Sequence, residues 1–162
     1  MAITRRKFIK TSATIGLGAI FTSNFAALSE PKAKGKMLEV QTPDPRSWNN
    51  EGITLSWLGH STVLINFYGK WILTDPVLSD TVGVRLLGAT FGPTRYTPPA
   101  LQFGSIPKPD LILLSHAHMD HTDLPTLEYF GEKYPGEINV VTAYLTKDVI
   151  QDIEWKSVTV LD

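Results

Sequence analysis

Apolar and polar side chains alternate through Ile53-Thr-Leu-Ser-Trp-Leu58, the period of a strand with one face turned to a core. Gly59-His60 reads as a turn, and Thr62-Val-Leu-Ile-Asn-Phe67 as a second strand. Tyr68-Gly69-Lys70 is a tight hairpin connection into a third strand, Trp71-Ile-Leu-Thr-Asp75, which Pro76 stops. Three short strands with brief turns predict an antiparallel meander. Nine glycines and prolines then fall between Gly83 and Pro109, a density that predicts a long irregular loop over residues 76–109. A loop of that length inside a compact domain is usually the wall or lid of a site.

Leu111-Ile-Leu-Leu114 is wholly apolar, as in a strand buried on both faces. Asp123-Leu-Pro-Thr-Leu-Glu-Tyr-Phe opens a helix, with Thr122 or Asp123 as cap and Pro125 in the first turn. Residues 138–141 and 157–161 predict two more strands, with a helix over about 143–151 between them, capped by Thr142. The fold class is α/β (α+β): strands first, then strand–helix repeats, with helices over one face of a mixed sheet.

The first thirty residues break this pattern. Residues 1–29 carry Arg5, Arg6, Lys7 and Lys10 and no acid, leaving eleven basic against sixteen acidic side chains in the remainder. A basic head on an acidic body is the mark of a targeting segment. Arg5-Arg6-Lys7-Phe8 precedes an apolar stretch from Ala13 to Phe21, too short to span a bilayer comfortably. The segment resembles a bacterial twin-arginine signal peptide, with cleavage expected before Glu30. That implies transient contact with the export machinery and a periplasmic or exported location, membrane-tethered if the signal stays uncleaved. A cytosolic basic amphipathic helix is the alternative. Residues 30–52 show no apolar period and read as a linker, so the domain proper is residues 53–162.

The overall formal charge of −1 gives nucleic-acid binding no electrostatic support. The chain has no cysteine, so disulfides and thiolate metal sites are excluded and any metal must use imidazole and carboxylate. All four histidines fall in two short segments: His60 alone, and His116-Ala-His-Met-Asp-His121 directly after the apolar run. In extended chain, His116 and His118 point the same way, Asp120 continues the alternation, and His121 sits where the chain turns into the helix. Four ligand-type side chains are therefore expected to converge. Imidazole with carboxylate suits zinc, with manganese or iron as lesser options. The helix start close by favours an anion there. A merely His-rich surface loop is the bland alternative.

His116-x-His118-x-Asp120-His121 after an apolar strand resembles the metallo-β-lactamase superfamily. Trp57-Leu-Gly-His60-Ser-Thr, Leu73-Thr-Asp-Pro76, Gly92-Pro-Thr-Arg95 and Pro98-Pro99 look like the branch that includes N-acylphosphatidylethanolamine phospholipase D. The resemblance covers about residues 53–162. It implies the N-terminal half of an αββα sandwich and two zinc ions per complete domain, one held by His116 and His118, the other by Asp120 and His121. It implies a hydrolase whose nucleophile is a bridging hydroxide, with Asp120 both ligating and orienting it. The substrate is then a small molecule or lipid, a phosphodiester of the N-acylphosphatidylethanolamine kind first. A lactone or β-lactam-like amide is the enzyme alternative, and the oligomeric state is left open. His60 is a candidate donor to substrate or to a metal ligand, or else a structural turn residue. Asp75 is a candidate buttress behind a metal-bound histidine. Arg95 is a weaker candidate for pairing with a phosphate.

The superfamily's further ligands, another histidine, a bridging aspartate and a final histidine, have no counterpart here, since no histidine follows His121. The expectation is a chain truncated at its C-terminus, with an inactive metal-binding remnant as the non-enzyme alternative. One apolar sheet face would then stay bare, and the body from residue 30 onward is expected to aggregate or to be molten.

Overall fold

The computed structural model describes residues 41–86 and 89–161. The twin-arginine segment and most of the linker, residues 1–40, lie outside the described residues. Among those described, no helix is long and apolar enough to cross a membrane.

Six strands form one mixed sheet. β1 (Ile53–Gly59), β2 (Thr62–Phe67) and β3 (Lys70–Thr74) are the antiparallel meander. β6 (Leu111–Leu114), β7 (Asn139–Ala143) and β8 (Ser157–Leu161) continue it in parallel, in the order β1-β2-β3-β6-β7-β8. The meander turns as its sequence requires. Tyr68 and Gly69 both have positive φ, 50° and 82°, the two-residue hairpin geometry that follows the strand twist. The Asn66 side chain locks this turn by accepting from the Gly69 N–H at 2.8 Å. The parallel seam is pinned by Asp110, whose carboxylate accepts from the Trp71 N–H at 2.9 Å while its own N–H reaches the Trp71 carbonyl at 2.8 Å.

Helix α1 (Leu124–Lys133) starts at Asp123, which has extended dihedrals, and carries a proline in its first turn as expected. It packs Leu127 and Phe130 onto one face of the sheet. There Leu58, Leu64, Leu73, Ile112, Leu114, Ile138 and Val140 complete a fully buried core. On the opposite face the register aligns Leu55, Ile65, Ile72 and Leu111 in one row across four strands, and Trp57, Val63, Thr74, Leu113 and Val141 in the next. Among the described residues this second face is left open at its β1 end, where Leu55 and Trp57 are 65% and 67% exposed.

Four expectations need correction. The loop 76–109 is not wholly irregular, since β4 (Val84–Leu86) and β5 (Ala89–Phe91) form a small hairpin and Phe103–Ser105 a 3-10 turn. The hairpin exists because glycine sits where the backbones cross: a Cβ on Gly83 or Gly92 would lie 2.1 or 2.0 Å from a carbonyl oxygen of the other side. The residues before Ile53 are not all linker, for Pro45–Ser47 forms a 3-10 turn and Trp48 packs on Trp71 with ring centroids 5.5 Å apart. The helix expected over about 143–151 is only α2 (Lys147–Ile150), because Tyr144 and the positive φ of Leu145 delay its start. Finally, β6 is fully buried on one face alone, Leu111 and Leu113 being half-buried on the open side.

Candidate metal centre

β6 ends at Leu114, and the nine residues to Asp123 carry the histidines to the start of α1. The segment is fixed by its own backbone: the amides of His121 and Thr122 both donate to the His118 carbonyl, at 3.0 and 2.7 Å. The Thr122 hydroxyl donates to the His116 carbonyl at 2.6 Å. This curl gathers three imidazoles. The His116 ring centroid lies 4.5 Å from that of His118 and 4.1 Å from that of His121. Asp120 stands at the margin, more than half exposed, its carboxylate 3.8 Å from His121 Nε2.

Behind the rings lies Asp75, 8% exposed, at the end of β3. One carboxylate oxygen accepts from the Ser115 N–H at 2.7 Å. The other meets the Ser115 hydroxyl at 2.7 Å and His121 Nδ1 at 2.9 Å. The Ser115 oxygen also meets His116 Nδ1 at 2.9 Å. A carboxylate can only accept, so the Ser115 proton points to Asp75 and the hydroxyl oxygen accepts from His116 Nδ1–H. His121 Nδ1–H donates to Asp75 by the same reasoning. The network thus selects tautomers in which Nε2 of His116 and of His121 are acceptors, the first facing His118 Nδ1 and the second Ser61 Oγ.

The donor chemistry, imidazole and carboxylate, suits a zinc-class divalent ion. His116 Nε2 lies 2.9 Å from His118 Nδ1. Two nitrogens on one tetrahedral zinc stand about 3.3 Å apart, so the pair is within a few tenths of an ångström of that spacing. The expected fourfold convergence is not present: among the described residues, no three His, Asp or Glu side chains close up into one coordination set.

His60 follows Gly59 in the β1–β2 turn with φ 49°, and its carbonyl accepts from Trp57 Nε1 at 2.7 Å. Partial burial, and after it the Arg95 guanidinium, hold the His60 imidazole below the usual histidine range. Arg95 itself is engaged with protein, donating to the carbonyls of Val77 and Thr97. Sequence reasoning missed two hydroxyls here. Ser115 joins Asp75 to both histidines, and Ser61 Oγ lies 3.3 Å from His121 Nε2. The signal available was their position, each directly adjoining a histidine in the chain.

The family model for the beta-lactamase superfamily domain matches residues 70–160. The chain is 46% identical over 78 residues to a mitochondrial N-acyl-phosphatidylethanolamine-hydrolyzing phospholipase D of Saccharomyces cerevisiae, covering 48% of this chain and 16% of that protein. It is 34% identical over 103 residues to N-acyl-phosphatidylethanolamine-hydrolyzing phospholipase D 1 of Caenorhabditis elegans, covering 63% and 28%. This chain therefore spans less than a third of the length of either relative. Among solved structures, it resembles isothiocyanate hydrolase from Delia radicum gut bacteria with a TM-score of 0.50 and 20% identity, over 67% of this chain and 41% of that one. That likeness concerns the fold: a mixed sheet with few helices, consistent with part of an αββα sandwich.

Proposed function

We propose that this chain, a member of the beta-lactamase superfamily, supplies the metal-holding segment of a zinc-dependent hydrolase. Its substrates in this reading are phosphodiester lipids of the N-acylphosphatidylethanolamine kind, or related esters. The observation that carries the proposal is the Asp75–Ser115 network, which makes His116 Nε2 and His121 Nε2 acceptors, so that an ion could take the places His118 Nδ1 and Ser61 Oγ hold beside them. The two relatives' names support the lipid class. His116 and His118 would hold one ion, and His121 with Asp120 a second. A bound divalent metal supplies a low-pKa water and polarises the ester oxygen.

The chain's own side chains do the rest. Asp75 holds His121 in orientation and Ser115 holds His116, so neither ring must reorganise when charge develops. Asp120, exposed beside His121, orients the attacking water from the solvent side. His60, whose pKa is lowered by burial and then by Arg95, would touch substrate at the rim.

A second reading is a metal-binding protein without turnover. What favours it is the His116–His118 pair, whose ring nitrogens lie 2.9 Å apart, a spacing near that of two ligands on one ion. One experiment addresses both. Zinc in the purified full chain is quantified by elemental analysis, and hydrolysis is followed on N-acylphosphatidylethanolamine vesicles, a lactone and a β-lactam. His116→Ala is expected to lose most of the zinc, and His60→Ala to retain it while altering any turnover. Wild-type zinc in His116→Ala refutes the ligand assignment. Zinc without hydrolysis of any substrate supports the second reading, and turnover of lactone or β-lactam alone moves the substrate class. Twin-arginine export is part of the proposal. Replacing Arg5 and Arg6 by Lys keeps charge but removes the guanidinium forks, and undiminished periplasmic accumulation would count against it.

A further inference from the structure

We propose that Ser61, His121 and Asp75 form a nucleophile–base–orienter row that hydrolyses activated esters through an acyl-serine when no ion sits on His121. The row is drawn by distances. Asp75 accepts from His121 Nδ1–H at 2.9 Å, and the opposite ring nitrogen, Nε2, faces Ser61 Oγ at 3.3 Å. Because Asp75 fixes the ring proton on Nδ1, Nε2 can only accept, and the Ser61 hydroxyl is the donor. The other acceptor in its reach, the Asp120 carbonyl, is farther away, at 3.5 Å. This is the arrangement that draws off a serine proton in acyl transfer, and it is recognised by roles and geometry in any chain order. A separation of 3.3 Å is long for a structural hydrogen bond but ordinary for a nucleophile and its base before substrate binds.

Two further observations set this contact apart from a chance approach. The first is bracing. Asp75 is buried and takes the Ser115 N–H and hydroxyl, both at 2.7 Å, which holds the orienter in place. The Thr62 hydroxyl donates to the Asp75 carbonyl at 2.9 Å, and the Thr74 hydroxyl to the Ser61 carbonyl at 3.3 Å. The turn that bears the nucleophile is thereby laced to the strand end that bears the orienter. The second is backbone. Gly59 and His60, directly before Ser61, have φ of 109° and 49°. Left-handed residues in succession are held at a cost, and such positions gather at functional sites. They deliver Ser61, half-buried, to the start of β2 with its hydroxyl at the imidazole. In the reaction the Ser61 proton passes to His121 Nε2 as Oγ bonds to the ester carbonyl carbon. Collapse of the tetrahedral species breaks the bond to the leaving oxygen, which takes that proton from Nε2. Water then repeats the sequence on the acyl-serine, releasing the acid and restoring Ser61. This activity does not depend on the zinc reading, but the two compete, since His121 Nε2 serves an ion or Ser61 and not both at once.

The test is covalent capture on the full 162-residue chain kept in chelator. Phenylmethanesulfonyl fluoride is added, the label is located by peptide mass spectrometry, and release of p-nitrophenol from p-nitrophenyl acetate is followed in parallel. The expected result is a sulfonyl group on Ser61 and ester hydrolysis above the solution background. Ser61→Ala should lose the label, and His121→Gln should slow both labelling and hydrolysis about 100-fold or more, the scale of general-base assistance. The chain has no cysteine, so Ser61→Cys introduces a lone thiol. Iodoacetamide should alkylate it about 10-fold faster than a free cysteine peptide, because an imidazole partner raises the thiolate fraction. That measurement leaves His121 unchanged and decides the matter where His121→Gln fails to fold. No label, a label on a residue other than Ser61, labelling unchanged in a folded His121→Gln, or a thiol of ordinary reactivity would each overturn the proposal. Zinc added in place of chelator separates this activity from the zinc reading. Protection of Ser61 supports the shared nitrogen, whereas undiminished labelling still supports Ser61 as nucleophile and counts against His121 as a zinc ligand.

Discussion

Asp75 occupies a left-handed backbone position, φ 36°, between the last residue of β3 and Pro76. Such conformations cost on the order of 1–3 kcal/mol and persist where surrounding bonds over-determine them. Here three donors converge on one carboxylate. Asp75→Ala should therefore lower stability by about 2–4 kcal/mol, since it strands the Ser115 amide and hydroxyl and the His121 N–H together. A denaturant midpoint measures this. Asp75→Asn keeps the shape but puts an amide group where one accepting oxygen was. Zinc affinity should fall about 10–100-fold in competition with a chelator, with little loss of fold. Unchanged zinc affinity in Asp75→Asn would detach Asp75 from the centre. The histidine cluster and Asp75 stood out in the sequence, because ligand-type residues at alternating spacing after an apolar run point to little besides metal binding. Ser115 did not, since serine is common in turns and its role depends on a partner forty residues away.

At the scale of elements, the meander was readable because apolar period and turn chemistry agree over residues 53–75. The β4–β5 hairpin was not, for glycine ordinarily signals a break, and here it permits two backbones to cross. Gly92→Ala should open that crossing. Hydrogen exchange should quicken at the amides of Val82 and Arg95, which now bond Pro93 and Asp80 across it. Protection equal to wild type would mean that the crossing yields without cost. A second tie runs from this loop to α1. The Thr126 hydroxyl accepts from the Leu78 N–H at 3.0 Å and donates to Asp123, which also receives Ser79 at 2.6 Å. Thr126→Val removes one acceptor and one donor from a fully buried group. It should cost about 1–3 kcal/mol, visible as a lowered thermal midpoint.

For the whole molecule, the sequence pointed to a helix layer on one face of a mixed sheet, and the structure has it. What it left undecided was strand order beyond the meander, because pairing of β3 with β6 depends on contacts that no local period encodes. That pairing has a consequence in time. β1, β2 and β3 are joined by turns of two residues, and each can zip within microseconds of leaving the ribosome. β6 must find β3 in parallel across the whole of residues 75–110, and loop closure over that span comes before any reward in contacts. The meander should thus stand as the early, template-like half, while the histidine-bearing turn is among the last segments to take shape. The centre would then be assembled only on a sheet already sound.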